Sequence, residues 1–318
     1  MLTRMRIILN KAGHIKGIWI KRGAWLVLML LALPWLTACV SVPSTQAPAE
    51  PAPVMGEKRL PRIGLALGGG AARGFAHVGV IQVLEEAGIR PVLVAGTSAG
   101  SLVAAMYASG KTGAQLQRLS ETMEEAAIAD WTLPLFNRGV FRGEALARYV
   151  NSQVGGRLIE NLTLPLGIVA TDLHSGNSVL FQRGDTGAAV RASSAVPAVF
   201  QPVKISGRDY VDGGLVSPVP VRYAREMGAE LVIAVDISSE PEGNPANDIL
   251  GVLMQTFVIM AKSINSFELR LADVVVQPAL RQVGSSDFSA RRRSIEAGRV
   301  AMAAQIPSLK AKIEQMSR

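Results

Sequence analysis

Gly96-Thr97-Ser98-Ala99-Gly100 fits the pattern G-x-S-x-G, placed where a strand is expected to end and a helix to begin. A serine there sits on a sharp turn that lifts its hydroxyl clear of a sheet, at a helix N-terminus whose dipole favours developing negative charge. Gly96 and Gly100 are needed because side chains would collide with the adjoining strand and helix. A second feature, Gly68-Gly69-Gly70-Ala71-Ala72-Arg73-Gly74, also lies between a strand and a helix. Its spacing misses the dinucleotide fingerprint: with Gly74 last, G-x-G-x-x-G needs glycine at Ala71. The same exposed N–H groups can instead form an oxyanion hole, from residues 69 to 74 with Arg73 beside them.

A nucleophilic serine needs a base. The three histidines are His14, in the N-terminal segment, His77, on the face of the first helix, and His174, in an expected hairpin turn. None has a clear catalytic context. Asp212, followed by Gly213 and Gly214 at the end of the hairpin VKISGRDYV, has a better one. If desolvated it can take a proton from Ser98 directly. An ordinary Asp-Gly turn remains an open reading of those residues, as does a Ser-His-Asp esterase.

The elements that must position these groups alternate. Strands are expected at Ile63–Leu67, Val92–Ala95, Leu166–Ala170, Val179–Phe181, Val203–Ile205, Tyr210–Val211, Leu231–Ile237 and Val274–Gln277. Helices are expected at Ala76–Ala87, Ala99–Ser109, Asp248–Ala272 and Ala290–Ala304, and Thr112-x-x-Gln115 reads as a capping box opening another. Strand–helix–strand order with crossovers of about 20 residues implies an α/β protein with a central, mostly parallel sheet.

GGGAARG at 68–74, GTSAG at 96–100 and DGG at 212–214, in this order, resemble the patatin-like phospholipase family, including its neuropathy target esterase type. The resemblance spans residues 62–230. Ala170-Thr171-Asp172, Ala192–Pro197 and Phe200-Gln201-Pro202 agree with it; Ala71 departs, standing where many members have glycine. The resemblance implies a three-layer α/β/α fold and a Ser98–Asp212 dyad in place of a triad. It also implies an oxyanion site from Gly69, Gly70, Ala71, Ala72, Arg73 and Gly74, and hydrolysis of phospholipids or other fatty-acyl esters through an acyl-enzyme. No metal or other cofactor is expected. A lipid-binding protein without turnover is the competing class.

The chain has 318 residues, 49% hydrophobic and 18% charged, which excludes intrinsic disorder. One cysteine excludes a disulfide framework, a cysteine-rich zinc site and an iron–sulfur cluster. The net charge of +8 suggests nucleic acid until it is located. Residues 1–38 hold six Lys and Arg and no acid, so the remainder carries only +2, and no nucleic-acid partner is expected.

Lys21-Arg22 followed by the apolar run Gly23–Leu33 reads as a signal segment. Leu36-Thr37-Ala38-Cys39 resembles a bacterial lipobox, with Cys39 the acylated residue. Residues 1–38 are then the signal peptide, 39–61 a Pro/Ala-rich tether and 62–318 the catalytic domain, with a C-terminal helical extension from 240. Val40 after the cysteine suggests lipid anchoring at the outer membrane, on the periplasmic face of the envelope. Trp131–Phe136 and Arg291–Arg293 read first as core and solvated helix face. Whether residues 246–272 cover the site is left open by the sequence.

Overall fold

Ile63–Leu67 forms strand β1, and every residue of it is buried, as a strand covered on both faces requires. The computed structural model describes residues 59–123, 139–242 and 246–318. After β1 come a 3-10 turn (Ala71–Phe75) and helix α1 (Ala76–Glu86), then β2 (Leu93–Thr97), α2 (Ala99–Ala108) and α3 (Gly113–Thr122). The chain continues through β3 (Gly139–Phe141), α4 (Glu144–Gln153), β4 (Leu166–Asp172), β5 (Ser178–Phe181), α5 (Thr186–Ser193) and β6 (Ala198–Phe200). It closes with β7 (Val203–Ile205), β8 (Arg208–Asp212), α6 (Val221–Glu226), β9 (Leu231–Val235), α7 (Ile249–Glu268), β10 (Val274–Val276) and α8 (Arg291–Met316).

The main sheet has the order β10-β9-β1-β2-β4-β8-β7, with β5 also on β4. From β10 to β4 all pairs are parallel; β5, β7 and β8 join antiparallel. The expected mostly parallel sheet with helices on both sides is present. Its two faces differ in side-chain size. Ile63, Leu65, Leu67, Ile168, Leu231 and Ile233 pack with α1, α2 and α8. Ala66, Ala95 and Ala234 face α6 instead, and at Gly64 a Cβ would stand 2.6 Å from that of Ala229. Small residues let that layer approach closely.

Local signals behave as their spacing dictates. The capping box opens α3, the Gln115 N–H donating to Thr112 Oγ1 (3.3 Å) and the Thr112 N–H to Gln115 Oε1 (2.8 Å). Ser206 and Gly207, both at positive φ, turn the β7–β8 hairpin. Among the elements that run past their expected bounds, two matter most here. Strand β2 runs on to Thr97, so Ser98 follows it without a linker. Helix α8 passes Ala304 and continues through Pro307 to Met316. A proline inside a helix costs roughly 3 kcal/mol, and the expected helix ends three residues before it. Here tertiary contact overrides that cost: Leu309, beyond the proline, is fully buried, and Arg318 and Arg59 exchange backbone hydrogen bonds of 3.2 and 2.6 Å. Gly79 and Gly298 let α1 and α8 touch, since a Cβ on either would strike the other helix's backbone. Residues 1–58, with Cys39 and most of the tether, and Trp131–Phe136 lie outside the described residues.

Candidate active site

Ser98 has φ +53° and ψ −124°, a conformation that L-residues adopt only under constraint. Four hydrogen bonds at and around it supply that constraint. The Ser98 N–H donates to Ser193 Oγ (2.8 Å), whose hydroxyl donates to the Val169 carbonyl (2.6 Å). The Ser98 carbonyl accepts from Ser101 Oγ (2.6 Å), and Thr97 Oγ1 donates to the Ser217 carbonyl (2.9 Å). Both elbow glycines are sterically required: a Cβ at Gly96 would stand 2.6 Å from the Gly100 oxygen, and one at Gly100 would collide with the Leu67 carbonyl of β1.

Strand β4 brings Asp212 to this elbow. Along one edge β4 pairs first with β2, ending at Thr97 opposite Val169, and then with the incoming β8, ending at Asp212 opposite Ala170. The two strands approach head to head, one residue step apart, although Ser98 and Asp212 are 114 positions apart in sequence. The Asp212 backbone is held by its N–H to the Ala195 carbonyl (3.0 Å) and its carbonyl to Thr171 Oγ1 (2.8 Å). Gly213 is required because a Cβ would meet the Val169 oxygen; the Gly214 N–H donates to Asp212 Oδ1 (2.7 Å).

Asp212 is buried. Burial pushes its pKa up to about 6, and the Gly214 N–H and the Ser98 hydroxyl, which favour the carboxylate, offset this only in part. Among the described residues no hydrogen bond of good geometry reaches Oδ2. The Ser98 hydroxyl lies close enough to the carboxylate to favour its ionised form. At neutral pH Asp212 is mostly ionised and poised to accept a proton.

Within the glycine loop the N–H groups divide into committed and free. Gly69 donates to the Pro218 carbonyl (2.9 Å), Ala72 to Ser285 (3.0 Å) and Arg73 to Gly70 (3.2 Å). The N–H groups of Gly70 and Ala71 have no partner among the described residues, and both residues line the same cavity as Ser98. Ala71 has φ +51°, a left-handed conformation that disfavours alanine. Arg73 is buried with its Nε directed to the Gly70 carbonyl (3.3 Å). Burial pulls its pKa down, and the nearby Asp236 carboxylate opposes the fall. Its side chain lines the cavity, but its hydrogen bond goes to the loop it positions. Ala72 and Gly74 do not line the cavity; a Cβ at Gly74 would press on that of Ala99 (2.9 Å).

His77 is fully buried, and its Nε2 donates to the Gly68 carbonyl (2.8 Å). A carbonyl only accepts, so Nε2 carries the proton. Burial lowers its pKa to about 4, so the ring is neutral at pH 7. His174 is exposed, 3.9 Å from Asp209. Neither lines the cavity around Ser98 and Asp212.

That cavity has a volume of about 540 Å³. Its floor is Gly69–Ala71, Arg73, Ser98 and Asp212, with Val196, Pro197 and Leu215 at the side. A backbone-lined polar floor beneath a mainly apolar wall suits an acyl chain whose ester carbonyl lies at the serine.

Residues 65–225 match the family model for patatin-like phospholipases. The chain belongs to that family. Among its relatives, an uncharacterized NTE family protein of Mycobacterium tuberculosis is 40% identical over 189 residues, 59% of this chain and 52% of that protein. Patatin-like phospholipase domain-containing protein 6 of Homo sapiens is 32% identical over 231 residues, 70% of this chain and 16% of that protein. The chain thus spans about half the length, or less, of these relatives. In fold it is similar to VipD from Legionella pneumophila, with a TM-score of 0.56 at 15% identity over 79% of this chain and 68% of that one.

Three contributions to this patatin-like site carry no assignment from the sequence. Ser193 anchors the elbow; its block, Ala192–Pro197, is visible there only as a resemblance. His77 clamps the glycine loop, for which its one-turn distance from the loop is a usable signal. Helix α7 roofs the cavity with Leu250, Met254, Phe257, Val258 and Ala261. Arg291 departs from a solvated helix face: it donates to the carbonyls of Ser120, Glu121 and Met123, closing the C-terminal end of α3.

Proposed function

We propose that this chain is a serine acyl hydrolase that cleaves fatty-acyl esters, phospholipids or lysophospholipids among them, through a Ser98–Asp212 dyad. The observation that carries this is the strained Ser98 beside the buried, pKa-raised Asp212 in one largely apolar cavity. Asp212 accepts the proton as Ser98 Oγ bonds to the ester carbonyl carbon. The Gly70 and Ala71 N–H groups receive the oxyanion. Collapse breaks the ester C–O bond, and the departing alcohol takes the proton from Asp212. Water, giving its proton to Asp212, then attacks the acyl-enzyme, and the fatty acid leaves as Ser98 recovers that proton.

Family membership and the neighbouring His77 bond to Gly68 support a dyad over a Ser-His-Asp triad. We further propose that Cys39 is acylated and tethers the domain to a cell-envelope membrane, the outer membrane's periplasmic face, by the lipobox resemblance; two or three acyl chains suffice for stable anchoring.

The test is fluorophosphonate labelling and ester hydrolysis by wild type, Ser98→Ala, Asp212→Asn, His77→Gln and His174→Ala. Both activities are expected to vanish in the first variant, hydrolysis in the second, and neither in the fourth. Undiminished turnover in Ser98→Ala or Asp212→Asn would overturn the dyad. For the tether, Cys39→Ser should abolish palmitate incorporation and membrane fractionation; unchanged labelling would refute it.

A further inference from the structure

Helix α7 has two apolar faces. At 100° per residue, Leu250, Met254, Phe257, Val258 and Ala261 fall on the side that roofs the cavity. Ile249, Val252, Ile259, Met260 and Phe267 fall within an arc of about 100° on the other side. These five are between 44% and 90% exposed, and only Thr256 and Ser263 interrupt them, with no charge in the arc. Leu271, in the short 3-10 turn after the helix, extends the strip and is exposed too. An apolar strip of this size facing water marks an interaction surface.

By length and composition the helix could cross a bilayer, but its contacts hold it against the domain. Asn265 and Glu268 are buried; Asn265 Nδ2 donates to Ser238 Oγ (2.9 Å), and Glu268 pairs with Arg222 (3.2 Å). Gln255 Nε2 donates to the Pro241 carbonyl (2.7 Å), and Lys262 pairs with Glu240 (2.8 Å). A helix so attached lies along a surface. At its C-terminal end Arg270 sits over the exposed Phe267 ring (4.7 Å), an aromatic–cation pair suited to the level of lipid headgroups.

We infer that the outer face of α7 docks in the interface of a lipid bilayer, so that the roof of the cavity rests on the membrane from which substrate is drawn. The inference rests on the acyl-hydrolase reading for its choice of occupant: the opposite face of this helix lines the cavity of Ser98 and Asp212. A chain leaving the bilayer beside α7 has one helix diameter to travel, about 10 Å. No other described surface combines an exposed apolar strip with the wall of that cavity.

Two arms on the full chain test this. In a Cys39→Ser background, Ile259→Cys carries an environment-sensitive fluorophore, and vesicles of phosphatidylcholine and phosphatidylglycerol bearing brominated acyl chains are added. Docking predicts a blue shift and quenching at 259 and none for the same label at the exposed Gly176→Cys. An unchanged signal at 259 with vesicles that capture the chain overturns docking whether or not the chain is a hydrolase.

In the second arm, Val252→Ser/Ile259→Ser should lower hydrolysis of vesicle-embedded phospholipid at least tenfold while leaving a monomeric short-chain ester unaffected. Equal loss on both substrates, or on neither, counts against docking. Wild type inactive on every ester would sink the hydrolase reading while the fluorescence arm still decides docking. A concentration-dependent dimer abolished by Ile259→Glu, with no vesicle response, would assign the face to a second copy and overturn the inference.

Discussion

The floor and the roof of the cavity are built differently. On the floor, main-chain groups meet main-chain groups: Gly96 against Gly100, Gly213 against Val169, Gly100 against Leu67. The bonds that fix Ser98 run through buried, short side chains. The roof is one helix resting on side chains, anchored by the side chains of Gln255, Lys262, Asn265 and Glu268 and turning mainly apolar side chains to the cavity. Acyl transfer needs attacking and accepting atoms placed to a fraction of an ångström, whereas admitting a chain needs an apolar wall that yields. The floor should therefore be intolerant of single atoms, and the roof tolerant of several.

The largest effect should come from the smallest change on the floor. Gly100→Ala forces a methyl into the Leu67 carbonyl, and we expect destabilisation of at least about 3 kcal/mol with loss of activity. Thermal unfolding measures it; a folded, active variant would show that the floor yields as the roof does.

Asp212→Asn separates function from stability. Turnover should fall by about three orders of magnitude or more. Because the folded-state pKa, about 6, lies above the ordinary carboxylate value, the native state binds this proton more tightly than the unfolded chain. Stability from that group is greatest below the unfolded pKa and declines as pH rises through about 6. Removing the charge at pH 7 should thus raise stability by about 1–3 kcal/mol. Denaturant unfolding at pH 5 and 8 checks the sign; a variant less stable than wild type at pH 8 contradicts it. In the wild type, kcat/KM should rise through pH about 6 as Asp212 ionises, and a flat profile from pH 5 to 8 would remove Asp212 as base.

On the roof, Phe257→Ala should change stability by no more than about 1 kcal/mol. It should shift preference among acyl-chain lengths while leaving kcat on a short ester nearly unchanged. A uniform loss on all chain lengths would mean that the roof also positions the chemistry. The smallest effect is expected at Ala71, whose left-handed φ of +51° glycine adopts freely. Ala71→Gly should stabilise by up to about 1 kcal/mol with activity retained, as measured by unfolding; destabilisation would mean that the methyl has a packing role.

Much of the site is legible in the sequence because its signals are short. G-x-S-x-G encodes a steric demand within five residues, met here by the Leu67 carbonyl and the Gly100 backbone. Thr112 and Gln115 encode a cap, and Ser206-Gly207 a two-residue hairpin. Around the glycine loop, spacing offers six candidate oxyanion residues; three of their N–H groups are committed elsewhere, through Pro218, Ser285 and Gly70. Two of those partners are remote in sequence, so no local pattern could distinguish Gly70 and Ala71 from their neighbours. Helix α8 runs past its expected end for the same reason: Pro307 is a local stop signal, and burial of Leu309 against distant elements outweighs it.

By itself, then, the sequence determined the G-x-S-x-G turn at Ser98, the glycine loop, the hairpin ending in Asp212 and the alternation of strands and helices, all set by backbone sterics and periodicity within a few residues. Tertiary structure alone decided that β2 and β8 end head to head on one edge of β4, which sets Ser98 beside Asp212. It also decided that His77 and Arg73 clamp the loop and that α7 lies over the cavity with an apolar face left to water. Register and docking are fixed by pairings between segments distant in the chain, and the energy that selects them resides in those contacts.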